Sequence, residues 1–386
     1  MESGLNVAVV GLGGAVATTA AAGIELLRSG SNDLAGLPLA EHDVAGLPPY
    51  RKLSFAGWDL FPDDLATAAA QHGVLGRDQL EAAAPGLRAV RPWAAVGSTD
   101  FCRGVDGANK LVTGSHRAAV EAIRSDLAKL NGRTVMLNLA STERPADLGS
   151  DALQTRDGFE RGLDANDPAI SPAMLYAYAA IEHGVPYGNF TPSVAADAPA
   201  LAALAKARGV PVAGKDGKTG QTFMKTVIAP ALRARALYVE GWFSTNILGN
   251  RDGLALNDPD SLKSKLDTKG SVLDDMLGYA VEDHIVDIRY YRPRGDDKEA
   301  WDNIDVAGFL GQRMQLKLNF LCKDSILAAP LAIEIARCLA LAAKRGDGGV
   351  QEQLGVFFKA PQTKGGRRPE HAFQRQHDAL LRWLYQ

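Results

Sequence analysis

The chain is poor in the residues that staple small folds or build metal centres. Its 386 residues include three cysteines, Cys102, Cys322 and Cys338, far apart in sequence. They form no C-x-x-C pair and no zinc pattern. An odd, sparse set fits a reducing cytoplasm better than a disulfide scaffold. No pair of histidines has metal-ligand spacing, and no Ser, His and Asp constellation announces a hydrolase. Charge of one sign is not in excess: the net charge of -3 leaves no electrostatic footprint for nucleic acid. There is no fixed-period repeat and no low-complexity tail.

Long apolar runs are also scarce. Residues 3 to 24 carry no charge, but Met1-Glu2 is no basic n-region, and Asn6, Gly4, Gly11, Gly13, Gly14 and Thr18-Thr19 interrupt the run. A targeting segment is therefore not expected. The stretch 326 to 342 is broken by Pro330, Glu334 and Arg337, so it reads as a buried helix and not a membrane span. The length suits two domains, or one large domain with an insertion.

What is present begins with "LNVAVVGLGGAVATTAAAGIELLRSG". Val7 to Val10 read as a buried strand, Gly11, Gly13 and Gly14 as a tight turn, and residues 15 to 27 as a helix stopped near Gly30. This is the opening βα unit of a dinucleotide-binding fold. Glycines let the backbone approach a pyrophosphate, whose charge a helix N-terminus favours. The pattern is not G-x-G-x-x-G, so an ordinary tight turn stays open beside it. "RKLSFAGWDLF" predicts a strand ending at Asp59, either a ribose ligand or a surface turn residue. "TVMLNLASTERP" is a second buried strand, with Asn138, Ser141, Thr142 and Glu143 where strand gives way to loop. Helix and strand then alternate through residue 215, which predicts a parallel sheet. From about 216 to 297 the strands lengthen. "ALYVEGWFSTNILGN" and "DHIVDIRYYRPRG" read as half-buried antiparallel strands of an inserted catalytic or oligomer-forming domain.

"GKDGKTGQTFMKT" places glycine, hydroxyl and lysine residues before a helix starting near Gln221. Such a turn suits a phosphate, with charge from Lys218 and Lys225; a simple capped helix is the plainer reading. It lacks Walker A spacing. In "SLKSKLDTKGSVLDD", Lys265 and Lys269 share one helical face if the segment is helical, and like charges there repel. Lys298 follows "GDD", and Lys359 follows an apolar Val-Phe-Phe run, an odd place for a solvated lysine. Taken singly, each is ordinary on a surface, and periodicity does not bring the four together. The acidic candidates are Asp216, Asp252 and Asp324, the last placed to cap a long apolar helix.

The stretches "GLGGAVATT", "FAGWD", "NLASTE", "PYGNFTPS", "GKDGKTGQT", "NILGNRDG", "SKLDTK", "GDDKEAWDN", "DSILAAPL" and "FFKAP" occur in the order found in one family and cover nearly the whole chain. The sequence resembles the inositol-3-phosphate synthase family, most closely its shorter archaeal and bacterial forms. The resemblance implies an α/β fold: a Rossmann-type NAD-binding domain with a parallel sheet, residues 1–215 and 298–386, and an inserted α+β domain, residues 216–297, for catalysis and tetramerisation. It implies a redox-neutral cyclisation of glucose 6-phosphate by C5 oxidation, enolisation, intramolecular aldol closure and reduction, in a cytoplasmic homotetramer with neither nucleic-acid nor membrane partner.

By the same resemblance Lys265, Lys269, Lys298 and Lys359 are catalytic. Gly11, Gly13, Gly14, Ala15, Val16, Asp59, Asn138, Ala140, Ser141, Thr142, Asp216 and Asp324 bind NAD. Lys218, Thr219, Gly220, Gln221, Thr222, Asn246, Leu248, Gly249, Asn250 and Asp252 bind substrate. No metal ligand is assigned, and a divalent metal or a monovalent cation is left open. Departures are a short loop after the glycine turn, Lys323 where eukaryotic relatives have Glu, and Asn250 where some archaeal forms have Asp. Rival readings are a paralogue cyclising another sugar phosphate, a net dehydrogenase, or a non-catalytic NAD- or sugar-phosphate-binding regulator.

Overall fold

The structure, a computed structural model, describes residues 4–249 and 272–386. Among them two sheets organise the chain. The first holds β1 (Leu5–Val10), β2 (Leu53–Asp59), β3 (Trp93–Ala94), β4 (Arg133–Asn138), β5 (Tyr187–Asn189), β6 (Pro211–Gly214) and the late β11 (Gly349–Val350). The second holds β7 (Tyr238–Leu248), β8 (Asp283–Tyr290), β9 (Asp297–Ala307) and β10 (Arg313–Lys323).

The first sheet runs β11-β6-β5-β4-β1-β2-β3, and its pairings are parallel. Side chains alternate across it as a strand's period of two requires. Val7 and Val9 join a core with helix Ala15–Ser29 and helix Asp324–Arg345, while Ala8 and Val10 join one with helices His116–Leu127 and Pro172–Glu182. This is a doubly wound, Rossmann-type layer, as the sequence predicts. Gly30, with φ of 75°, caps the first helix at the expected stop. The region 31–110, weakly periodic in sequence, folds helices Leu65–His72 and Arg77–Arg88.

Helix Asp324–Arg345 is long and apolar enough to cross a membrane, yet it is mostly buried within the protein. Its charges are satisfied internally. Arg337 Nη1 pairs with Glu334 Oε2 at 2.6 Å, its Nε donates to the Pro48 carbonyl at 2.7 Å, and Glu334 Oε1 accepts from the Leu39 amide at 3.1 Å. A buried pair survives only when its remaining donors and acceptors are met in this way.

The second sheet, ordered β10-β9-β7-β8, is mixed. β7 pairs antiparallel with β9 but parallel with β8, which corrects the expectation that β7 and β8 are antiparallel. A parallel pair needs a long crossover, and residues 249–282 supply the length. Helix Gln221–Ala234 packs on one face through Ala229 and Leu232 against Val239, Trp242, Ile304 and Val306. This sheet takes in β9 and β10 and reaches Lys323, beyond position 297, where the expected insertion ended.

Candidate functional site

The chain builds the first sheet outward from β1 in one direction to β3, then restarts at β4 and proceeds the other way. A crevice opens where such an order reverses, at the carboxyl ends of the strands. There the structure has a cavity of about 700 Å³.

The glycine turn forms one wall. The Gly11 and Leu12 amides donate to the Trp58 carbonyl at 2.9 and 3.0 Å. Gly11 has φ of 84°, and a Cβ there would sit 2.9 Å from the Ala140 Cα, so glycine is required twice over. Gly14 leads into helix Ala15–Ser29 with no side-chain cap, so the first-turn amides face the cavity without an internal acceptor. Asp59 ends β2 and is buried; its Oδ2 accepts from the Gly13 amide at 2.8 Å and its Oδ1 from Phe61 at 3.0 Å. The twelve residues expected to bind cofactor all line this cavity, including Asn138, Ala140, Ser141 and Thr142 beyond β4.

The loop after β6 forms the second wall. Residues 357–362 lie along it: Lys218 N donates to the Phe357 carbonyl at 2.9 Å and Lys359 N to the Asp216 carbonyl at 2.6 Å. Gly217 lies so close to Phe190 that a Cβ would overlap its ring at 2.1 Å. This pairing carries Lys359 inward, and its Nζ reaches Asp216 Oδ1 at 2.7 Å. Asp216 Oδ2 is buried with no hydrogen-bond partner among the described residues. Thr219 Oγ1 donates to Asp324 Oδ1 at 2.9 Å, and Lys298 Nζ lies 3.3 Å from the same oxygen. Asp324 stands in the first turn of its helix, with its carboxylate turned to Thr219 and Lys298. Asp296 adds a cap from outside the helix, accepting from Ser325 Oγ at 2.6 Å and Ser325 N at 3.2 Å.

Lys298, Lys359, Thr219 and Gly249 line the cavity with Asp216 and Asp324. Lys218 does not. It is buried, donates to Gln376 Oε1 and lies 5.6 Å over the Phe373 ring; burial pulls its ammonium down to about 7. Lys225 turns beneath the second sheet, 2.7 Å from His284 Nε2, where burial lowers it to about 8 against an opposing pull from Asp302. Asn246 Nδ2 donates to Gln221 Oε1 at 2.6 Å, leaving Gln221 Nε2 and Asn246 Oδ1 buried without partners among the described residues. Gly220 precedes helix Gln221–Ala234, Thr222 is buried in its first turn, and Leu248 is buried at the end of β7. Asn250, Asp252, Lys265 and Lys269 lie outside the described residues.

Sequence reasoning missed part of the wall. Residues 95–98 and 101–106 contribute Val96, Ser98, Phe101 and Asp106, with no motif to mark them. Asp296, inside the quoted "GDDKEAW", and His72 also line the cavity. Glu143, by contrast, is marked in the sequence at the strand-to-loop transition and does line the cavity; desolvation pushes its carboxyl up to about 7, although it accepts from Ala173 N at 2.9 Å. Among the described residues no group of three or more His, Cys, Asp or Glu side chains converges as a metal centre.

A doubly wound sheet with a glycine turn at its switch point, and an inserted mixed sheet that brings Lys298 to the same crevice, define a Rossmann-type NAD-binding protein with an added catalytic layer. A family model described as myo-inositol-1-phosphate synthase matches residues 37–385, and the chain belongs to that family. It is 40% identical to inositol-3-phosphate synthase 1 of Bacteroides thetaiotaomicron, over 95% of this chain and 91% of that protein. It is 31% identical to inositol-3-phosphate synthase 1 of rice, over 73% of this chain but 58% of the rice protein. The fold superposes on the inositol-3-phosphate synthase of Caenorhabditis elegans with a TM-score of 0.90 and 26% identity, covering 100% of this chain and 86% of that one.

Proposed function

We propose that the protein is an inositol-3-phosphate synthase, an NAD-dependent intramolecular lyase that cyclises glucose 6-phosphate to 1D-myo-inositol 3-phosphate. The observation that carries this reading is the convergence of Lys298 and Lys359, each held by a carboxylate, on the cavity that the glycine turn opens.

The residues present fit NAD. Gly11, Gly13, Gly14, Ala15 and Val16 offer close backbone and a helix N-terminus to a pyrophosphate, and Asp59 lies where a ribose hydroxyl is read. The orphaned Asp216 Oδ2 suits an amide donor such as the carboxamide of a nicotinamide. NAD, when bound, supplies the hydride acceptor and donor that let the reaction begin and end at the same oxidation level. Asn138, Ala140, Ser141, Thr142 and Asp324 complete the cofactor wall.

The lysines answer the charge that the sugar develops. A ketone at C5 makes the C6 proton acidic; its loss places negative charge on the C5 oxygen, and aldol closure moves charge to the C1 oxygen. Fixed cations aimed at those oxygens act strongly in a water-poor site. We assign Lys298 and Lys265 to the developing oxyanions, and Lys269 and Lys359 to holding phosphate or relaying protons. Thr219, Gly220, Gln221 and Thr222 receive the phosphate; Gln221 Nε2 and Asn246 Oδ1 offer a donor and an acceptor to hydroxyls, with Leu248, Gly249, Asn250 and Asp252 beside them. Lys218 serves the substrate through the loop it anchors, since its ammonium is turned to Gln376.

We place the protein with the short bacterial and archaeal forms, which the 91% coverage of the Bacteroides relative supports. The sparse set of Cys102, Cys322 and Cys338 accords with a cytoplasmic setting. A homotetramer is supported by β10, an edge strand exposed along most of its length, with Met314, Leu316 and Leu321 uncovered.

The experiment is ³¹P NMR of the protein with glucose 6-phosphate and NAD+, with and without divalent metal, alongside NADH absorbance. A new inositol phosphate resonance without net NADH supports the synthase. NADH rising in step with substrate loss would make it a net dehydrogenase, and conversion only of another sugar phosphate would make it a paralogue. The comparison of the two conditions reads metal dependence directly.

A further inference from the structure

The helix after β2 reaches back to the glycine turn. Helix Leu65–His72 is fixed at its start by Asp64, whose Oδ1 accepts from the Ala66 and Thr67 amides at 3.1 and 3.0 Å, and by Leu65 N donating to the Val90 carbonyl at 3.1 Å. It ends at Gly73 in the left-handed region, φ 64°. That geometry delivers His72, its last residue, to the cavity edge, with Nε2 2.7 Å from the Gly13 carbonyl oxygen. A carbonyl only accepts, so Nε2 carries the proton in this contact.

Gly13 is thus held from both sides. Its amide donates to Asp59 Oδ2 at 2.8 Å, and its carbonyl accepts from His72. The peptide that follows is fixed at its other end as well, because Gly14 N donates to the Gly11 carbonyl at 3.1 Å. A trans peptide is planar, so fixing its C=O and its N–H sets the entry of the chain into helix Ala15–Ser29. The uncapped amides of that helix depend on the entry angle for their aim. A Cβ at Gly13 would meet the Asp59 carboxyl at 3.2 Å, so the turn has little room to settle elsewhere.

We propose that His72 is a positioning residue of the dinucleotide site: through the Gly13 carbonyl it holds the glycine turn so that the first-turn amides of the following helix face a pyrophosphate. The assignment rests on the NAD reading above. It gives the helix after β2 a task in cofactor binding that no sequence motif reveals. The contribution is pre-organisation: without the contact, NAD must order the turn as it binds.

The test titrates NAD+ into the full-length wild-type protein and into His72→Phe and His72→Gln, with calorimetric dissociation constants and melting temperatures measured without cofactor. Phe keeps a planar ring and loses the donor; Gln keeps a donor. The expected result is affinity about tenfold weaker in His72→Phe, recovered to within about threefold by His72→Gln. The cofactor-free melting temperatures of the two variants should agree within a few degrees. Wild-type affinity in His72→Phe overturns the inference, as does equal weakening in both variants. If His72→Phe does not fold, the comparison of His72→Gln with wild type decides, and tenfold weakening in that variant overturns it. Failure of the wild-type protein itself to bind NAD+ overturns the parent reading instead.

Discussion

Lys359 Nζ stands 2.7 Å from Asp216 Oδ1, with both side chains buried at the cavity wall and the second Asp216 oxygen unpartnered among the described residues. Removing one member of such a pair leaves the other charge desolvated, which costs about 3–5 kcal/mol. Lys359→Met and Asp216→Asn should therefore each lower the unfolding free energy by about that amount. The double variant should lose clearly less than the sum. Denaturant titration of the three variants checks this, and strict additivity would refute the coupling.

Lys298 shares Asp324 Oδ1 with Thr219, so its ammonium is oriented before substrate arrives. Lys298→Ala should reduce kcat by about 10²–10³, the scale of a lost oxyanion donor. Thr219→Ala should cost less, since it removes only one of the groups that orient Asp324. Lys265→Ala should abolish turnover with NAD affinity near normal. Steady-state rates beside NAD+ titration separate these outcomes, and an active Lys265→Ala would remove that residue from the oxyanion role.

The site was legible where a residue type broke its local rule. Gly11, Gly13 and Gly14 marked a turn: Gly11 takes a positive φ pressed against Ala140, and a Cβ at Gly13 or Gly14 would crowd Asp59 or the Gly11 carbonyl. Lys359 after Val-Phe-Phe marked a lysine carried inward by an apolar anchor, and Phe357 and Phe358 are buried beside it. Side-chain direction was not legible. Lys218 stood in a phosphate-like loop, yet the helix Phe373–Leu384 packs over it and supplies Gln376, a partner 158 positions away. His72 and Asp296 gave no signal for the same reason: their partners, Gly13 and Ser325, are distant in sequence. The parallel pairing of β7 with β8 was equally hidden, because strand alternation reports burial and not direction.

The exposed edge of the second sheet yields a test of assembly. β10 pairs with β9 on one side and presents Met314, Leu316 and Leu321 to solvent in the single chain. If copies associate through this sheet, Leu316→Glu combined with Leu321→Glu should lower the mass measured by sedimentation from tetramer toward smaller species. An unchanged tetramer would place the interface elsewhere.

The buried lysines make stability depend on pH in a stated direction. Burial holds Lys218 at about 7 and Lys225 at about 8, whereas a lysine in the unfolded chain titrates near about 10.4. Below the folded values both states are protonated, and the folded state bears the full cost of the buried charge. Between the folded and unfolded values the unfolded chain binds more protons, so each lysine's contribution to stability rises with pH, by a few kcal/mol in total. Other groups oppose this trend. The half-buried Cys322 thiol is raised to about 11, chiefly by desolvation, and draws stability down as pH climbs past the ordinary thiol range. The lysine effect is therefore read as a difference. The stability of wild type minus that of Lys218→Met, measured by urea unfolding from pH 6 to 10, should increase across the interval above pH 7. The lost Gln376 hydrogen bond shifts the whole difference without changing its slope. A flat difference would mean that the Lys218 ammonium keeps its ordinary affinity for protons despite its burial against Phe373 and Gln376.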